Sequence, residues 1–178
     1  MIFLHWDFGP YLSPCSHLPA RLLSQAMTKA EHIFQLAQDD ADAYRMFALR
    51  RAGAATPFVN EVINHLKFLV GQKLGAEVVN QSLNQASLQT VDFWLENEHT
   101  IMEVEFNILS SPPVLEREIF KALLAKDAGK DVRRIILIGD PGSVVLLHTP
   151  IAAAIINWAE RHHQIQVQVW ELKDNSER

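Results

Sequence analysis

Asp92, Glu103 and Glu105 are the residues whose types and spacing best suit chemistry. They lie in "VDFWL" and "IMEVEFN", segments that alternate apolar and acidic residues. In an extended strand, residues two apart point the same way, about 6.6 Å from each other. Met102, Val104 and Phe106 therefore take one side, and the two glutamates take the other. At an effective dielectric near 20 that spacing corresponds to about 2.5 kcal/mol of repulsion. A solvated sheet face tolerates this; a semi-enclosed face needs a cation to neutralise the pair.

A hairpin brings in the third acid. With a connection of two residues (Asn97 and Glu98) or four (Glu96 to His99), Asp92 sits directly opposite Glu103, and opposed residues share a face. Asn97 is the residue expected to take the positive φ of a tight loop. Val91, Phe93 and Leu95 then join Met102, Val104 and Phe106 on a wholly apolar face, while Trp94 and Ile101 partly cover the acids. Opposed like charges destabilise a strand pair. A hard divalent cation such as Mg²⁺ would neutralise them through oxygen ligands and would support phosphoryl chemistry. The alternative is a set of ordinary surface acids on an open face.

The elements that must position these residues are legible from periodicity and caps. Residues 18 to 51 read as helix in two pieces, broken near "AQDDADAY", where Asp39, Asp40 and Asp42 offer caps for the second piece and Gly53 ends it. Thr56 and Pro57 open a helix over 57 to 74, ending before Gly75. Its stripe is Phe58, Val62, Leu66, Leu69 and Val70, and Glu61 and His65 fall within it. Glu61 is either satisfied by a partner or lies at the stripe's edge. The period then changes to two through "AEVVNQSLN", "SLQTVDFWLE" and "TIMEVEFN", a meander of three strands. A helix over 113 to 128 follows. "RRIILIG" reads as a strand covered on both faces, "TPIAAAIINWAERHHQ" as a helix opened by Thr149 and Pro150, and "IQVQVWEL" as a last strand.

An Asp on the second strand of a meander, Glu-x-Glu on the third, then helix and strand, resembles the PD-(D/E)XK nuclease superfamily. "VDF", "MEVEFN" and "LEREIFKALLA" are similar to its type II restriction-enzyme branch, in which an acid replaces the usual lysine of the third strand. The likeness covers roughly residues 57 to 140. It implies that Asp92 and Glu103 ligate Mg²⁺ (or Mn²⁺), with the backbone carbonyl of Val104 as a further ligand. It also implies that Glu105 orients or deprotonates the attacking water, and that a helical glutamate, here Glu61, completes the site. Lys121, one turn after Glu118, could restore positive charge near the phosphate.

The implied fold is α/β: a restriction-endonuclease-like mixed β-sheet, made of the three-strand meander plus two further strands and flanked by helices. It would form a single domain over 1–178, with a helical N-terminal segment (1–55) and a nuclease-like core (56–172). The implied function is a Mg²⁺-dependent endonuclease hydrolysing DNA phosphodiester bonds, acting as a homodimer. Two alternatives are a catalytically inactive nuclease-fold binding or assembly module and a carboxylate-pair hydrolase of a non-nucleic substrate.

Composition excludes other classes. At 178 residues, 48% hydrophobic and 21% charged, the chain is ordinary globular protein. Cys15 alone cannot build a disulfide framework or a cysteine zinc site, which suits a cytoplasmic location. The start lacks the positive and apolar regions of a secretory signal, and no stretch approaches the roughly 18 apolar residues of a membrane span. A net charge of -5 disfavours a general polyanion binder, although Arg117, Lys121, Lys126, Lys130, Arg133 and Arg134 cluster, as do Arg45, Arg50 and Arg51. "GDPGS" lacks the Walker lysine and Rossmann spacing and reads as a turn.

Overall fold

Thr28 begins the described structure's first helix through a reciprocal cap. Its Oγ1 accepts from the Glu31 N–H at 3.1 Å, and a Glu31 carboxylate oxygen accepts from the Thr28 N–H at 2.7 Å. In this computed structural model, residues 27–44, 56–83, 90–106 and 113–175 are described. Helix α1 is Lys29–Ala43. It runs straight through Asp39, Asp40 and Asp42, so the break expected there is absent. Asp40 is buried on α1 and bonds His65; it is a packed helical residue, not a cap. The expected second piece and Gly53 lie outside the described residues.

Helix α2, Thr56–Leu74, takes the anticipated span. Gly75, at φ 107°, ends it in a conformation that residues bearing a Cβ rarely adopt. A short 3-10 turn, Ala76–Val78, precedes strand β1, Val79–Gln81, which is shorter than the alternation suggested. Strands β2, Val91–Leu95, and β3, Thr100–Glu105, form the hairpin, and helix α3, Pro113–Asp127, follows. Strand β4 is Arg134–Gly139, helix α4 is Pro150–His163, and strand β5 is Gln166–Glu171. "GDPGS" is a turn with Gly142 at φ 90°.

The strands form one sheet in sequential order. β1 to β3 are antiparallel neighbours, whereas β3, β4 and β5 run parallel, connected by stretches that contain α3 and α4. The sheet is therefore mixed, with helices on both faces. On one face Ile33, Leu36, Val62 and Leu66 of α1 and α2 cover Phe93, Leu95, Met102 and Val104. On the other, Leu115, Ile119 and Ala122 of α3 and Ala152 and Ala159 of α4 cover Trp94, Ile101, Ile135 and Leu137. In β4, Ile135 through Ile138 are completely buried, as a parallel strand covered on both sides must be.

The described part of the N-terminal segment is thus core material, since α1 shares its apolar cluster with α2 and the sheet. Two hydrogen bonds between Gln38 and the backbone of Lys173 tie α1 to the chain after β5. No helix among the described residues is long and apolar enough to cross a membrane.

Candidate functional site

The hairpin connection has four residues, so Leu95 pairs with Thr100, Trp94 with Ile101 and Phe93 with Met102. That register brings Asp92 opposite Glu103. The positive φ in the loop falls on His99 (φ 51°), not on Asn97. Glu96 to Glu98 wind into a 3-10 turn, and the left-handed residue is the one that closes it.

The β2–β3 ladder stops one step before the two acids. Where the next rungs would lie, the carboxylates take over. The Asp92 N–H donates to Glu103 Oε2 at 3.1 Å, and the Val104 N–H donates to Asp92 Oδ2 at 2.9 Å. Each carboxylate thereby satisfies a backbone donor of the facing strand, which would otherwise be left without a partner. β3 stays paired with β4 as far as Glu105, so the opening is confined to one side of it.

Cations complete the cluster. Lys67 of α2 reaches Asp92 Oδ1 at 2.5 Å. Lys121 of α3 lies 2.9 Å from Glu103 Oε1 and 2.6 Å from Glu118 Oε2. Arg117 bonds Glu105, and its Nε donates to Glu118 Oε1 at 2.6 Å. Four carboxylates thus meet three cations. Glu103 and Glu118 are almost wholly buried, and such groups persist only when paired and hydrogen-bonded.

Burial, reinforced by the negative charges of Asp92 and Glu118, holds the Glu103 carboxyl well above its ordinary value, against the pull of Lys121. Burial likewise raises Glu105, with Arg117 opposing. Burial alone would lower the Lys121 ammonium, but Glu103 and Glu118 override it and hold it above the usual lysine value. The site keeps a firmly charged lysine beside Glu103, a carboxylate that resists ionisation.

Asp92, Glu103 and Glu105 are brought together; Glu61 is not. It is exposed on α2, and the residue α2 delivers to Asp92 is Lys67. Six positions separate the two, which places them about 120° apart around the helix. His65 is held by Asp40 at 2.6 Å. Lys67 and Arg117 escaped the sequence reading as site residues. Lys67 carries no local signal, because its partner lies on a strand distant in sequence. Arg117, Glu118 and Lys121 did carry one: an acid between two bases at helical spacing, just after Glu-x-Glu.

No family model matches this chain, and neither does any curated protein or solved structure. No group of three or more His, Cys, Asp or Glu side chains close enough to hold a metal is found among the described residues. The donors that the resemblance implied reduce to Asp92, Glu103 and the Val104 backbone. Mg²⁺ is commonly held by one or two carboxylates with water completing its shell, so this hard-oxygen set suits it. The ammonium groups of Lys67 and Lys121 now sit against the same two carboxylates.

Proposed function

We propose that this chain is a Mg²⁺-dependent endonuclease of the restriction-endonuclease-like type, acting on DNA phosphodiesters. One observation carries the reading: Asp92 and Glu103 occupy the gap where β2 and β3 part, each backed by a lysine from a different helix. The mixed sheet, with its antiparallel hairpin followed by parallel strands, supports the same reading.

Asp92 and Glu103, with the Val104 carbonyl, would hold the ion. A divalent cation held by these groups would supply polarisation of the phosphate and a more acidic water. The chain's own groups supply the rest. Lys121, anchored between Glu103 and Glu118, is a fixed positive charge that favours the extra negative charge of the transition state. Glu105, half-buried with a raised pKa, is a stronger base than a solvated carboxylate and is held in place by Arg117. Cutting both strands symmetrically would require two copies of the site, which a homodimer provides.

Conversion of supercoiled plasmid to nicked or linear form, with Mg²⁺ and with EDTA, tests this. Cleavage should need the metal, and Asp92→Asn should lose it. Metal-dependent cleavage that survives in Asp92→Asn would overturn the site.

A second reading, a nuclease-fold module without catalysis, is favoured by the cations already matched to the acids. It predicts no rise in melting temperature with Mg²⁺ and no cleavage of any DNA.

A further inference from the structure

A groove of about 540 Å³ runs between α2 and β1, lined by Asn64, Lys67, Phe68, Gln72, Val79 and Asn80 among others. Its link to the acids is a single side chain. Lys67, which contributes to its wall, is the residue paired with Asp92. Asn80 is placed by register: Val79 pairs with Phe93 and Gln81 with Val91, so Asn80 lies opposite Asp92 across the strand pair.

Its lining has a definite chemistry. Three carboxamides, Asn64, Gln72 and Asn80, offer donors and acceptors together, and no carboxylate lines it. Lys67 is the lone cation of the lining and is committed to Asp92. A groove built to follow a phosphate backbone would be rich in lysine and arginine. Amides suit the edge of a nucleobase. The aromatic component is Phe68, 58% exposed. Its ring stacks with His65 at 6.5 Å and 26°, and His65 is in turn held by the buried Asp40 at 2.6 Å. The phenyl ring therefore has a positioned aromatic neighbour while remaining open to solvent.

Asn80 adds a backbone observation. It sits within β1 at φ 50°, a left-handed conformation that few residues with a Cβ adopt and that asparagine tolerates best. Such residues concentrate at ligand sites, where the surrounding structure holds them.

We propose that the α2–β1 groove receives an unpaired nucleobase next to the phosphate attacked at Asp92 and Glu103. Phe68 provides the stacking platform, and Asn64, Gln72 and Asn80 contact the base edge. Within a duplex both faces of a base are covered by its neighbours, so a stacking side chain of this kind reaches only an unstacked base. The preferred substrate is thus DNA with a single-stranded or frayed segment. The adjacent cleavage rests on the nuclease reading above; base binding itself does not.

Binding of a single-stranded oligonucleotide containing 2-aminopurine, measured in EDTA by its fluorescence and anisotropy, separates the two. The parent should quench the probe and bind it more tightly than a duplex of the same sequence. Phe68→Ala should weaken binding about tenfold or more, the scale of one lost base stack. Asn80→Gly keeps a residue at ease with positive φ but removes the amide; it should bind more weakly with an unchanged thermal melt. Equal binding of single strand and duplex, or binding indifferent to Phe68→Ala and Asn80→Gly, overturns the groove assignment, even where plasmid cleavage is observed. Probe binding sensitive to both variants, without Mg²⁺-dependent cleavage by the parent, upholds the groove and removes the nuclease reading instead.

Discussion

Beneath α1 and α2, strands β2 and β3 present Phe93, Leu95, Met102 and Val104, all buried and all apolar. On the opposite face the same strands present Asp92, Glu103 and Glu105 beside Trp94 and Ile101. The first face stabilises the fold by removing apolar surface from water. The second holds charges that burial disfavours, tolerated because Lys67, Arg117 and Lys121 arrive from α2 and α3. Replacing buried ion networks by apolar residues is often neutral or stabilising. One hairpin therefore joins a face built for stability to a face whose composition stability alone would not select.

Substitutions that act on one face and spare the other test this division. Phe93→Ala, on the fully buried apolar face, should lower unfolding free energy by about 3–5 kcal/mol in urea melts. A loss below about 1 kcal/mol would contradict the packing described.

Glu103→Gln should do the opposite. Cleavage should fall by about 10²–10³-fold, the scale of removing one preorganised charged group, without loss of stability. The folded-state pKa of Glu103 lies well above its ordinary 4.5. Its ionisation therefore subtracts nothing below about that pH. The penalty grows as pH rises from there and is complete above the folded value. Calorimetry should show Glu103→Gln melting above the parent at pH 8, with the gap closing towards pH 4.5. A variant that melts lower at pH 8 would mean that the acid face is structural after all.

Lys121→Met probes the same face from its cationic side, and it should also lower the melting temperature, since Glu103 and Glu118 stay buried without their shared lysine. If the nuclease reading holds, it should lower the turnover number in plasmid cleavage by about tenfold, with little change in the Mg²⁺ concentration required, as expected of a charge that acts on the phosphate. The smallest effect belongs to Arg133→Ala. Its pair with Asp131 is exposed, so the change in stability should stay within about 0.5 kcal/mol by chemical denaturation.

How much of this could be read in advance depends on the range of the interaction. The face shared by Asp92, Glu103 and Glu105 follows from a period of two and a short connection, both local properties of the chain. The helices at 56–74, 113–127 and 150–163 announced themselves through caps and apolar stripes. The acids of "AQDDADAY" misled, because Asp caps a helix well but also sits within one when a partner such as His65 awaits it. Glu61 misled for a related reason: a wide apolar stripe does not tell which edge residue turns toward the sheet.

From the chain alone, then, came the hairpin register, the separation of an apolar from an acidic face, and the mixed helix-and-strand order. Those properties depend on alternation and on turn length, which neighbouring residues specify. Only the folded molecule decided that the β2–β3 ladder yields to crossed carboxylate bonds, and that Lys67 meets Asp92 while Lys121 meets Glu103. These contacts join residues on separate elements, and their partners are chosen by how helices settle on a sheet, a choice that no local periodicity encodes.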